Sequence, residues 1–422
     1  MRTRREFLSV FGKIGVVGIS RALLPAWMPR LALRPRYQTA PGDILICVFL
    51  RGGLDGLNAV VPYGDGAYYY DARPTQAVPE PGAGQNAALD LDGYFGLHPA
   101  LAPLKEIYDD GALAFVHATG SPDPTRSHFD AMQYMEHGTP GDKTTGTGWI
   151  GRHLQSIAWQ NDSPFRAVGM GAMLQDSLRG AVPPLSLQSI ADFHLKGRVD
   201  EMRRFEQTLA RLYAFDAPND MLERQARLVS DTIETLQAIN AQTYTPANGA
   251  VYPSDTYDFG MALKQIAQLI KADVGLEIAA VDLGGWDTHE NQGTFGGTFA
   301  ELLGVLGRGL AAFYADLGER MARISVVTMS EFGRRVAENA SQGTDHGHGN
   351  FMLLMGGGVI GGQVFARWPT LAPDMLDNGD LAITTDYRDI LAEIVSQRLL
   401  NPALDQVFPG YTATLPGLVR PY

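Results

Sequence analysis

Five short apolar runs constrain the fold most: Ile44–Leu50, Ala112–Ala118, Glu277–Leu283, Ile324–Ser330 and Phe351–Met355. Each is mostly apolar rather than alternating. A strand solvated on one face alternates polar and apolar residues, whereas a strand covered on both faces need not. Helical periodicity lies between these runs. Leu222, Ala226, Val229, Ile233, Leu236 and Ile239 recur at spacings of three and four, and so do Phe299, Leu302, Leu303, Leu306, Leu310, Phe313 and Leu317. Thr385-Asp386 reads as a helix start leading into Tyr387–Leu400, because a short polar side chain there can accept from the first free N–H groups. Strands alternating with helices predict an α/β fold with a largely parallel sheet.

Two stretches break the pattern. Residues from about 192 to 271 are strand-poor and helical in character, and we expect a helical insertion on the sheet domain. Tyr63–Leu97, rich in Gly, Pro and Asp, reads as a long irregular excursion.

The N-terminus contains Arg4-Arg5-Glu6-Phe7-Leu8, a twin-arginine export pattern. The stretch that follows, from Phe11 to Trp27, is interrupted by Lys13 and Arg21, which makes a stable membrane span costly. Residues 1–36 are therefore set aside as a signal peptide, with the twin-arginine translocase as the expected partner during export and the periplasm or another extracytoplasmic space as destination; no clean Ala-x-Ala cleavage site appears, so an uncleaved anchor is the alternative. The α/β domain is expected over 41–422. Eight of the 34 basic and one of the 46 acidic residues lie in the first 36, leaving 26 and 45 and a formal charge of −19. Such a body repels nucleic acid. The single cysteine, Cys47, lies in an apolar run and excludes both an intrachain disulfide and a cysteine-based metal cluster. An oxidoreductase is disfavoured on the same ground, and no Gly-x-Gly-x-x-Gly falls in a strand–turn–helix setting.

Candidate chemistry concentrates in loops that adjoin the predicted strands. Gly52-Gly53-Leu54-Asp55-Gly56-Leu57-Asn58 follows the first, and Arg126-Ser127-His128-Phe129-Asp130-Ala131 follows the second. Gly285-Trp286-Asp287-Thr288-His289 and Ser330-Glu331-Phe332-Gly333-Arg334 follow the next two, and Thr344-Asp345-His346-Gly347-His348-Gly349-Asn350 precedes the last. In open α/β sheets ligands bind at the carboxyl ends of the strands. Imidazole nitrogen with carboxylate oxygen is the donor set of hydrolytic metal sites. Asp287, His289, Asp345, His346 and His348 are the leading metal-ligand candidates. A bland alternative stands beside each further residue: Asp55 as a turn residue, His128 as a helix cap, Glu331 as the ion-pair partner of Arg334 or Arg335. His98, His117, His137, His153 and His194 read as ordinary core or surface histidines.

Taken together, the leader and these five motifs resemble the bacterial domain-of-unknown-function family fifteen-oh-one, which is grouped with the alkaline phosphatase and sulfatase superfamily. The resemblance covers nearly the whole chain. It implies an alkaline phosphatase-like three-layer sandwich with a mostly parallel central sheet, one or two divalent metals and a hydroxyl nucleophile at a helix N-terminus. By that resemblance Asp55 joins Asp287, His289, Asp345, His346 and His348 as a metal ligand. Ser127, with Thr125 as rival, takes the nucleophile's place. Apart from the resemblance, Arg51, Arg126 or Arg334 is expected to neutralise transition-state charge, and His128 to serve as a further ligand or as an acid/base. The implied cofactor is zinc or manganese, ahead of calcium or magnesium. The implied activity is hydrolysis of phosphate or sulfate esters, with a small anionic ester or a polysaccharide as substrate. This chain lacks the Cys-x-Pro-Ser-Arg sulfatase signature, and Pro124-Thr125-Arg126-Ser127 only echoes it. A non-catalytic envelope protein of the same fold, binding an anionic ligand, a polysaccharide or a partner protein, is the alternative.

Overall fold

A computed structural model of the protein describes residues 40–159, 161–190 and 244–422, with Thr232, Thr235, Leu236 and Ile239 between them. The expected leader, and most of the expected insertion at 192–271, lie outside the described residues. Within that range the strands are β1 (Ile44–Arg51), β2 (Val60–Val61), β3 (Leu89–Asp90), β4 (Gly96–Leu97), β5 (Leu113–Gly120) and β6 (Ala167–Met170). There follow β7 (Leu185–Leu187), β8 (Ile278–Gly284), β9 (Ile324–Met329), β10 (Asn350–Gly356), β11 (Val364–Phe365) and β12 (Thr385–Asp386). The helices that matter for the site and its support are α1 (His128–His137), α2 (Trp149–Ser156), α3 (Phe259–Lys271), α4 (Thr298–Leu317) and α5 (Tyr387–Glu393).

The main sheet runs in the order β11-β5-β10-β9-β1-β8-β6-β7, with β12 also paired to β5. β1 is central and parallel to both neighbours, with Leu45 opposite Ile278 of β8 and Ser325 of β9. β10 is antiparallel to both β5 and β9, so the sheet is mixed but mostly parallel. Each of the five predicted strands is present, because each is buried on both faces. Ile46, Val48 and Leu50 of β1 join one apolar core together with α3 and α4, while Leu45, Cys47 and Phe49 join another with α2 and α5. The result is a three-layer α/β sandwich.

Local signals explain the helix boundaries. The Asp255 carboxylate accepts from the N–H groups of Tyr257, Phe259 and Gly260 and so opens α3. Asp386 accepts from Arg388 and opens α5, as its position predicts. Phe299, Leu302, Leu303, Leu306, Leu310, Phe313 and Leu317 of α4 are all buried, the face expected from their spacing. The Tyr63–Leu97 excursion is more ordered than its composition suggests. It carries β3 and β4, which with β2 make a small antiparallel sheet. Among the described residues no helix is long and apolar enough to cross a membrane.

The pairing directions bring the carboxyl ends of β1, β5, β8 and β9 and the amino end of β10 to one edge. Every loop singled out in the sequence opens from that edge.

Candidate metal centre

His128, at the first position of α1, and Asp287 and His346, from the loops after β8 and before β10, bring one ligand atom each to within 4.8 Å of one another. His289 adjoins them. Its Nε2 is 3.1 Å from Asp287 Oδ1 and 2.9 Å from His346 Nε2. His346 Nε2 is 3.2 Å from the same Asp287 oxygen, and His128 Nε2 is 3.5 Å from Asp287 Oδ2. Phe332, buried, lies against His128 and His346 with ring centroids 4.8 and 4.7 Å away.

The far side of each imidazole is already occupied. The Nδ1 of His128 donates to Glu331 Oε1 at 2.7 Å. That of His289 donates to Asp345 Oδ1 at 3.2 Å, and that of His346 to the Arg126 carbonyl at 2.9 Å. An oxygen acceptor at Nδ1 fixes the tautomer of a neutral imidazole and leaves Nε2 with its lone pair. In the neutral form of each ring three such lone pairs face the Asp287 carboxylate, with Nε2 at 3.5, 3.1 and 3.2 Å from its oxygens for His128, His289 and His346. The Nε2 of His128 is buried without a hydrogen-bond partner. Lone pairs facing a carboxylate repel one another, and a cation bound between them removes that cost. The donor set and the outer-shell acceptors fit a divalent metal.

Two further contacts set the electrostatics. Burial raises the Asp287 pKa, but the Arg334 guanidinium, with His346 and His128, outweighs it and holds the carboxyl at about 2. The Glu331 hydrogen bond raises the His128 pKa against the opposing effect of burial. Burial pushes His346 down.

Arg334 joins the loops. Its buried guanidinium donates to the carbonyls of Gly52, Gly53, Trp286 and Thr344 and to Asp287 Oδ1 at 2.8 Å. Four carbonyls from three loops thus share one rigid fork. Glycine permits the close approach. A Cβ on Gly52, whose φ is +123°, would lie 2.7 Å from the Asp287 nitrogen, and one on Gly333 would lie 1.9 Å from the Gly349 carbonyl oxygen.

The remaining sequence candidates fall elsewhere. Among the described residues no contact links Asp55, expected as a ligand, to the cluster. Its buried carboxylate is held by Arg73 at 2.6 Å and by Gln292 at 2.7 Å. His348 also stands apart, its ring nitrogens facing Asp377 at 3.0 Å and the Ser121 carbonyl at 3.1 Å. Asp345 supports His289 from behind. The Arg126 guanidinium turns to the buried Asp380. Ser127 is the N-cap residue of α1, exposed, with its N–H donating to Thr125 Oγ1 at 3.3 Å.

Glu331 is neither the partner of Arg334 nor of Arg335. Besides His128 it accepts from the Gly52 N–H at 2.8 Å. Its position directly after a strand pointed to this site. Nothing in the local sequence tied it to His128, which lies 203 residues away.

A family model described as "Protein of unknown function (DUF1501)" matches residues 43–408. No curated protein matches the chain. Among solved structures it is similar to Ps i-CgsB in complex with k-i-k-neocarrahexaose, at 10% identity and a TM-score of 0.42 over 89% of this chain and 76% of that one. It is similar to the lipoteichoic acid synthase LtaP from Listeria monocytogenes at 11% identity and a TM-score of 0.34, over 86% and 76%. The zinc complex of the C-terminal periplasmic domain of EcEptC from Escherichia coli follows at 11% identity and 0.33, over 76% and 75%.

Proposed function

The chain belongs to the family described as "Protein of unknown function (DUF1501)", and we propose that it is an exported, metal-dependent hydrolase of phosphate or sulfate esters. The observation that carries this reading is the convergence of three imidazole Nε2 atoms on Asp287, each imidazole fixed from behind by an oxygen acceptor. His128, Asp287, His289 and His346 would hold the ion. Nitrogen-rich ligation with one carboxylate suits zinc or manganese ahead of calcium or magnesium. A divalent cation there supplies Lewis-acid polarisation of the ester oxygen and lowers the pKa of an attacking hydroxyl.

The chain's own groups do the rest. Ser127 presents its hydroxyl at the N-terminus of α1, where the free N–H groups of the first turn favour an anion. Glu331 holds His128 in one tautomer. Arg334 keeps Asp287 ionised and oriented. A site of this kind takes a small anionic ester or an anionic polysaccharide, reached after export by the twin-arginine translocase.

Release of nitrophenol from its phosphate and sulfate esters, measured with added Zn²⁺, Mn²⁺, Mg²⁺ or Ca²⁺, tests the proposal. Turnover is expected with wild type, loss of turnover with the metal retained in Ser127→Ala, and loss of both in Asp287→Ala. Folded wild-type protein that turns over neither ester with any of the ions contradicts it. One observation favours the non-catalytic alternative: among the described residues no side-chain base contacts the Ser127 hydroxyl. Metal binding without any turnover is that reading's signature.

A further inference from the structure

Arg126 and Arg335 converge on one carboxylate beside the metal cluster. Asp380 has a fully buried side chain, and its two oxygens accept from different arginines, Oδ2 from Arg126 Nη2 and Oδ1 from Arg335 Nε at 3.3 Å. Arg335 Nη2 also donates to the Asn378 carbonyl at 2.7 Å. Both arginine side chains stay open to solvent, at 41% and 39% exposure. Among the described residues, Arg126 Nε and Nη1 and Arg335 Nη1 have no protein acceptor.

The neighbouring acids are committed elsewhere. Asp377 accepts from His348, and Asp345 accepts from His289 and Asn339. Two guanidiniums meet at one buried carboxylate and keep free N–H donors, in a body that is otherwise strongly acidic. The buried carboxylate keeps the two arginines together against their mutual repulsion. Their backbones are pinned to the ligand loop: the Arg126 carbonyl accepts from His346 Nδ1 at 2.9 Å, and the Arg335 N–H donates to the Asp345 carbonyl at 2.9 Å. Their side chains turn from that loop towards Asp380. The pair therefore sits beside the cluster rather than over it.

We propose that Arg126 and Arg335, braced by Asp380, bind a second anionic group of the substrate, set apart from the ester that is cleaved. Planar guanidinium forks match sulfate, phosphate and carboxylate oxygens. The substrate class is then a polyanion, such as a carbohydrate bearing more than one sulfate or phosphate. This rests on the hydrolase reading above, and it replaces the transition-state role that the sequence suggested for Arg126.

The test is calorimetric titration of the metal-loaded protein with a monosulfated and a disulfated form of one disaccharide. The disulfated form is expected to bind wild type at least about tenfold tighter, on the scale of one charge-assisted hydrogen-bonded pair. Arg335→Gln should bring the two affinities within about twofold while leaving the monosulfated ligand's affinity in place. Asp380→Asn, which keeps both arginines but releases them, should narrow the gap in the same direction. Equal affinities of the two ligands for wild type overturn the proposal, and so does an Arg335→Gln variant that weakens both ligands alike. Absence of ester turnover would count against the hydrolase reading alone, because the preference is read from binding.

Discussion

Glu331 Oε1 lies 2.7 Å from His128 Nδ1, and the opposite nitrogen of that ring is buried with no hydrogen-bond partner. A carboxylate behind a histidine is the usual outer-shell support of a metal ligand. Glu331→Gln keeps an acceptor oxygen but loses the charge. Zinc affinity, measured by competition with a chromophoric chelator, should fall about 10- to 100-fold while the fold persists. An unchanged affinity would remove Glu331 from the site's supporting shell.

Arg334 predicts a stability effect. Replacing it with Lys strands several of the four buried carbonyls that it now serves. Each buried polar group left unpaired costs about 1–3 kcal/mol, so a loss of at least about 3 kcal/mol is expected in urea unfolding. A loss under about 1 kcal/mol would show that water or backbone shifts satisfy those carbonyls instead.

Asp55→Asn separates a structural residue from a ligand. The change removes the charge opposite a fully buried Arg73. Breaking a buried pair from one side costs about 3–5 kcal/mol. Metal content per folded chain should nevertheless stay at the wild-type level. Loss of the metal with stability intact would return Asp55 to the ligand set.

Three histidines predict acid lability. Burial pushes His98 and His117 down to about 4 and His153 down to about 3, from an ordinary value of 6.5. Between pH 6.5 and those values the unfolded chain binds protons that the folded chain refuses. Stability is therefore fully present above pH 6.5 and falls as pH drops towards 4, by about 1.4 kcal/mol per pH unit for each histidine. Urea melts at pH 7, 6 and 5 measure it, and His153→Gln should flatten the slope by one such increment. An identical slope in wild type and variant would contradict the assignment.

The sequence made the frame of the molecule legible wherever burial was two-sided or periodic. Ile44–Leu50 and Phe299–Leu317 carry their environment in their composition. Ala167–Met170 and Leu185–Leu187 do not, because three or four residues are too few to show a period. The direction of β10 was equally hidden, since an apolar run reads the same antiparallel as parallel. At the site, residue types and strand ends identified the loops that bring Asp287, His289 and His346 together. Choosing between chemically similar neighbours did not follow. Asp55 was lost to Arg73, 18 residues away, and His348 to Asp377, 29 residues away, while Asp345 supports a ligand from behind. Such partners are set by tertiary packing, which no spacing rule encodes.

Elemental analysis of the protein purified without chelators, beside Asp287→Ala and His346→Ala prepared in the same way, goes to the centre of the account. Roughly one equivalent of zinc or manganese per wild-type chain, lost from both folded variants, is the predicted result. Wild-type protein carrying no divalent metal and failing to take any up, or variants that keep the full complement, would contradict the claim that these imidazoles converge on Asp287 to hold a cation.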